Sequence, residues 1–243
     1  MKKDLNSYIK HNSEYVINDI TTENTLKIIR KYDEQNMFEK QGFKIALEKF
    51  NHRELHVDIG SGTGWLLGKT APLFKKVIGV EPSEAATKAS GLVFSNFTNI
   101  EYINKDMIDA IKDINIIHPT FFTSSIVFSH IKNFHVTNFL KELDSAPNGS
   151  TLHFFENYDT NIKHPFWYIR NRKWWADRLP NWQLTFLDIP NHGYKSGIFG
   201  IRIGRDFVTE KYNLSFIKRI KWHISGIINL TLKAIRKFNP LKK

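Results

Sequence analysis

From Glu54 onward, short apolar runs alternate with longer segments whose apolar residues recur every three or four positions. Residues 55–60 read as a buried strand entering a glycine turn, and residues 65–74 as a helix that closes near Pro72. Strands are predicted again at 76–81, 100–106, 121–128 and 150–157, with helices at 83–94 and 136–144 between them. Strand–helix alternation with near-continuous apolar strands is the pattern of a parallel sheet covered on both faces. The predicted fold is therefore α/β and doubly wound, with a mostly parallel sheet. Two later apolar runs, 182–189 and 196–203, suit a hairpin at one sheet edge. Ahead of the sheet, residues 22–50 read as one or two polar helices with Leu26, Ile28, Ile29, Met37, Phe38 and Phe43 as apolar anchors. The pattern divides the chain into an N-terminal helical cap (1–50), an α/β domain (51–205) with an aromatic and basic insertion at 160–182, and a basic amphipathic tail (206–243).

The turn after the first strand carries the most chemistry. It reads Asp58, Ile59, Gly60, Ser61, Gly62, Thr63, Gly64. Glycines between a strand and a helix let the backbone turn tightly and approach a ligand without a Cβ in the way. A dinucleotide fingerprint would place its third glycine at position 65, where this chain has Trp65. About 20 residues further on, Glu81 ends the second strand, where a carboxylate can accept from both hydroxyls of a ribose. Asp106 ends the third and can accept from the exocyclic amine of an adenine. Either acid taken singly also suits a helix N-cap.

The Asp58-x-Gly60-x-Gly62-x-Gly64 loop, Glu81, and the Asp106-Met107 pair together resemble the class I S-adenosylmethionine-dependent methyltransferases, over roughly residues 50–157. The resemblance implies a Rossmann-like sheet and S-adenosyl-L-methionine as cofactor. The loop with Ser61 would wrap its methionine part, Glu81 would hold the ribose, and Asp106 with Met107 would mark the adenine. Ser124, on strand four, joins this set.

The run Val127-Phe128-Ser129-His130-Ile131 resembles a motif of bacterial methyltransferases of this class linked to sugar or envelope-glycan modification. The acid that usually opens that strand is replaced by Thr120, so an acidic catalytic residue is not expected there. By the same resemblance, His130 lies near the mouth of the cofactor pocket. An imidazole there can take the proton of an attacking hydroxyl, or can serve as a structural histidine. Glu156 is the second catalytic candidate, because ligands sit outside the carboxyl ends of such strands. It and His153 should point to opposite faces of a regular strand.

Composition adds an asymmetry. The 243 residues carry a net charge of +11, but residues 161–243 hold 17 basic and 4 acidic side chains, leaving residues 1–160 at −2. Such a field favours phosphates, anionic lipids and other polyanions. Within it, Trp167 and Arg170 of the aromatic insertion, and His192 and Tyr194 of the following glycine-rich turn, are the acceptor-binding candidates. The alternative is an amphipathic helix whose aromatics pack on the core. In the tail, Ile217, Ile220, Ile224, Ile227, Ile228, Ile235 and Phe238 share one helical face, opposite Lys218, Arg219, Lys233, Arg236 and Lys237. That face suits an anionic membrane surface, the protein's own core or a second subunit. The absence of cysteine excludes disulfides, thiolate metal sites and a cysteine nucleophile, and no metal is expected. With no membrane-spanning run and no apolar signal stretch, a cytoplasmic protein is expected, with the inner membrane face as the place its tail suits. The expected activity is O-methylation of a sugar, glycolipid or other envelope-related hydroxyl acceptor. RNA methylation and a non-catalytic cofactor-binding scaffold are the alternatives. Against RNA, no recognisable RNA-binding module is present, and residues 123–126 read Thr-Ser-Ser-Ile rather than the Asn/Asp-Pro-Pro-Tyr/Phe of many base-amine methyltransferases.

Overall fold

The computed structural model of the protein describes residues 21–159, 167–191 and 194–204. The amphipathic tail and His192 lie outside the described residues, as does the side chain of Tyr194. By chain contacts, residues through Gly204 form one unit and the tail from Arg205 another.

Among the described residues, three helices come first: α1 (Thr22–Glu34), α2 (Met37–Lys40) and α3 (Phe43–Glu48). Thr21 starts α1 by accepting the Asn24 N–H at 3.1 Å, satisfying one of the amides a helix start leaves open. The α/β alternation follows as β1 (Leu55–Ile59), α4 (Trp65–Thr70), β2 (Lys76–Val80), α5 (Glu84–Val93), β3 (Ile100–Ile103), α6 (Met107–Asp113) and β4 (Thr120–Ser125). A single 3₁₀ turn (Phe128–His130) leads to α7 (Asn133–Leu143), β5 (Thr151–Tyr158), α8 (Arg172–Ala176), β6 (Trp182–Asn191) and β7 (Tyr194–Arg202).

The seven strands form one sheet in the order β3-β2-β1-β4-β5-β7-β6. The first five are parallel, while β7 runs antiparallel to both β5 and β6, so the predicted edge hairpin is present. Every residue of β1 and β5 is buried, which explains why those segments read as nearly continuous apolar runs. Alternation within β4 sends Phe122 to one face and Phe121 to the other. Phe122 joins Ile111, Phe139, Leu140 and Trp175 beneath α6, α7 and α8. Phe121 joins Ala46, Leu67 and Phe74 beneath α3 and α4. Each such fully buried side chain contributes roughly 1.5–3 kcal/mol, so both faces are anchored.

The N-terminal helices pack against the start of α4. Trp65 is buried, donates its indole N–H to Asp33 at 2.9 Å, and stands edge-on to Tyr32 at 5.3 Å. The residue that breaks the dinucleotide fingerprint therefore fastens the helical cap beside the glycine loop.

Candidate active site

The chain proceeds leftward from β1 to β2 and β3, then crosses back to β4 and β5, so the sheet's switch point lies between β1 and β4. Ligands of open α/β sheets bind outside the carboxyl ends of the strands at that point. The glycine loop leaves β1 there. Its three glycines have φ of +70° (Gly60), +50° (Gly62) and +74° (Gly64), a region that side chains other than glycine rarely adopt. They differ in surroundings. A Cβ on Gly60 would lie 2.4 Å from Val127 Cγ2, and one on Gly64 would lie 1.9 Å from Ser90 Oγ. A Cβ on Gly62 would meet no atom within 4 Å. The outer glycines serve close packing, and the middle one leaves open space above the loop.

Glu81 ties this loop to the next strand end. Its Oε2 accepts the Gly62 N–H at 3.0 Å and its Oε1 the Ser83 N–H at 3.0 Å, while burial pushes its carboxyl above the usual range. Ser61 and Ser124 are buried beside the loop and at the end of β4, and neither hydroxyl has a hydrogen-bond partner among the described residues. Buried polar atoms are normally paired, so orphaned hydroxyls beside an open loop fit a polar ligand.

Below the loop lies a network that the residue pattern did not reveal. Asp58 accepts the Thr123 hydroxyl at 2.6 Å, Thr123 Oγ1 lies 2.7 Å from His56 Nε2, and His56 Nδ1 lies 2.7 Å from Thr70 Oγ1. Asp58 and Thr123 are register partners on β1 and β4, and His56 shares the Asp58 face. Burial raises the Asp58 carboxyl to about 7, with Glu81 adding to the rise, and lowers His56 to about 3, so His56 is neutral. The available signal was two polar residues on one face of an otherwise apolar strand.

The remaining candidates separate. Asp106 is exposed, and its Oδ1 caps α6 by accepting from Ile108 at 2.8 Å and Asp109 at 3.2 Å. Met107 is packed into the core beneath α6. Thr120 opens β4 at the end away from the glycine loop, so an acid at that position would not reach the site. His153 and Glu156 do point to opposite faces: His153 meets the Gln41 carbonyl and stands edge-on to Phe43, whereas Glu156 meets the turn at 127–129.

Two charged candidates need correction. Glu156 was expected to face a ligand, yet it is fully buried and its two oxygens accept the N–H groups of Val127 (2.5 Å), Phe128 (2.9 Å) and Ser129 (3.1 Å). Arg170 was expected to bind an acceptor. It is also buried, and donates to the carbonyls of Phe128 (2.7 Å), Tyr168 (3.0 Å) and Ile131 (2.5 Å) and to Asn133 Oδ1 (3.0 Å). Neither charge is offered to a ligand. His130 is half-buried on the turn they grip, with the Trp167 ring edge-on at 6.2 Å.

No protein-family model and no curated relative matches the sequence. Solved structures do match the fold. A DhpI–S-adenosylhomocysteine complex superposes with a TM-score of 0.54 at 14% identity, over 77% of this chain and 97% of that one. An S-adenosylmethionine-dependent methyltransferase from Clostridium acetobutylicum gives 0.54 at 13% identity, over 73% and 98%. Magnesium protoporphyrin IX methyltransferase from Synechocystis, solved with bound S-adenosylmethionine, gives 0.54 at 15% identity, over 73% and 83%. The chain has the fold of the class I S-adenosylmethionine-dependent methyltransferases.

Proposed function

We propose that this protein is an S-adenosylmethionine-dependent methyltransferase acting on a hydroxyl acceptor, with a sugar, glycolipid or related envelope component favoured. The observation that carries the reading is the convergence of Gly62, open above its loop, the two unpartnered serine hydroxyls and the Glu81 carboxylate at adjoining strand ends. Ser61, Gly62, Ser124 and Glu81 would hold the cofactor, with Asp106 nearest the adenine by sequence position. When bound, S-adenosylmethionine supplies an activated methyl group on a sulfonium. The chain's own part is then positioning and proton removal. A ring nitrogen of His130 takes the proton that the acceptor hydroxyl sheds as its oxygen becomes nucleophilic, while the Trp167 indole beside it offers a flat apolar face to a sugar ring. The cationic tail, by its charge and isoleucine face, suits attachment to an anionic membrane where glycolipid acceptors reside.

RNA as acceptor is the second reading, favoured by the +13 charge of residues 161–243. The test is a panel of sugar-nucleotide, glycolipid and RNA acceptors with radiolabelled cofactor. With the acceptor found, His130→Ala should lower turnover by roughly 10²–10⁴-fold while S-adenosylhomocysteine affinity by calorimetry stays within about twofold. Near-normal turnover in that variant refutes the base assignment, and no cofactor binding by the wild type refutes the methyltransferase reading.

A further inference from the structure

Between β4 and α7 the chain turns through residues 126–131, and a single 3₁₀ turn holds itself with little. Its own bonds are two: His130 N–H to Val127 O at 3.1 Å and Ile131 N–H to Phe128 O at 3.0 Å. Its other four amides and three of its carbonyls are gripped from outside. Phe155 O accepts the Ile126 N–H at 2.9 Å, and the next residue of β5, Glu156, accepts the following three amides. From the other end, Arg170 takes the carbonyls of Phe128 and Ile131, and the Tyr168 N–H takes that of Ser129 at 2.6 Å. The carboxylate sits at the amide end and the guanidinium at the carbonyl end, the sense in which charges stabilise a helical turn. Arg170 itself lies over the Trp174 ring, its guanidinium carbon 4.8 Å from the ring centre.

This arrangement is costly for a mere connection. Burying each charge costs several kcal/mol before pairing recovers it, and an ordinary turn is closed by a solvent-exposed cap, as Asp106 closes the start of α6. Ile126 adds to the cost: its φ is +56°, a strained conformation for a β-branched residue. What the clamp gains is one fixed geometry for the segment that carries His130.

We propose that Glu156 and Arg170 are a positioning pair that holds the turn at residues 127–131 from its two ends and thereby fixes the His130 imidazole. The catalytic meaning of the pair rests on the reading of His130 above, but the clamp is testable without turnover. The full-length protein, saturated with S-adenosylhomocysteine, is compared with Glu156→Gln and Arg170→Lys. Amide exchange at 127–129 should accelerate at least about tenfold, the equilibrium cost of a lost charge-assisted hydrogen bond, while Phe121 and Phe122 of β4 keep their protection. The His130 Cε1 resonance of ¹³C-histidine-labelled protein should move or broaden, and cofactor affinity should change less than about threefold, about 0.65 kcal/mol.

A wild-type measurement covers variants that fail to fold. Burial pushes Glu156 up to about 7 against the pull of the three amides and Arg170, the charged group facing it; Arg178 and Tyr168 stand behind Arg170. If the turn opens while Glu156 stays buried, it loses the amides and Arg170 that hold its pKa down, so protection at 127–129 relative to β4 should fall as pH drops through that value, and should do so equally in His130→Ala. Unchanged exchange and an unmoved His130 resonance in the variants, or pH-independent protection, would overturn the clamp. If the wild type fails to bind S-adenosylhomocysteine, the methyltransferase reading falls, while the exchange and pH measurements, repeated on the protein without ligand, still decide the clamp.

Discussion

Thr123→Val isolates the network beneath the glycine loop. Valine keeps the shape of threonine, so no cavity forms and the loss is confined to one hydroxyl. That hydroxyl serves two buried groups, donating to Asp58 at 2.6 Å and lying 2.7 Å from His56 Nε2. Each stranded group costs roughly 1–3 kcal/mol, so the variant should be destabilised by about 2–6 kcal/mol. The loss should depend on pH with a definite sign. Asp58 has a folded-state pKa raised from 3.8 to about 7, so the folded protein holds that proton more tightly than the unfolded chain. Its contribution to stability is complete below about pH 4 and is lost as pH rises through 7. The Thr123 hydroxyl pulls that pKa down, and removing it pushes Asp58 higher still. The deficit should therefore be larger at pH 8, where an unpaired carboxylate must ionise inside the protein, than at pH 5. Urea denaturation at both values, with an unchanged slope, measures it. A deficit below about 0.5 kcal/mol, or one larger at pH 5, would show that the hydroxyl is not what satisfies Asp58.

Four further outcomes are expected. Gly62→Ala should cost only the roughly 1–2 kcal/mol of left-handed backbone, yet weaken S-adenosylhomocysteine at least about tenfold by calorimetry, because the new methyl enters open ligand space. Gly64→Ala, whose Cβ would overlap Ser90, should instead fail first in thermal stability. Ile126→Gly should change the unfolding free energy measured in urea by less than about 1 kcal/mol, since strain release of roughly 1–3 kcal/mol offsets lost packing, whereas Ile126→Ala keeps the strain and should lose more. Truncation after Arg205 should preserve cofactor binding and abolish sedimentation with anionic vesicles, an interaction that salt should weaken in the full chain; sedimentation that survives truncation would place the membrane contact elsewhere.

What was legible in the sequence is what local pattern and backbone chemistry write there. The parallel strands announced themselves because burial on both faces leaves runs such as Leu55–Ile59 nearly free of charge. The loop announced itself because three alternate positions with left-handed backbone demand glycine. The charged residues were harder, for a physical reason. A lone Glu156 or Arg170 in sequence is equally compatible with a ligand and with a backbone amide, since both present the same hydrogen-bonding chemistry. Only the register that sets Phe155 and Glu156 of β5 beside residues 126–129 decides between them. Thr123 was hidden likewise, because its meaning lies in Asp58 and His56 across the sheet. The two misread charges nonetheless lay on the right segment of the fold. Both bond to the turn that carries His130, so the sequence motif around that histidine and the buried pair form one structural unit, written at three separate places along the chain.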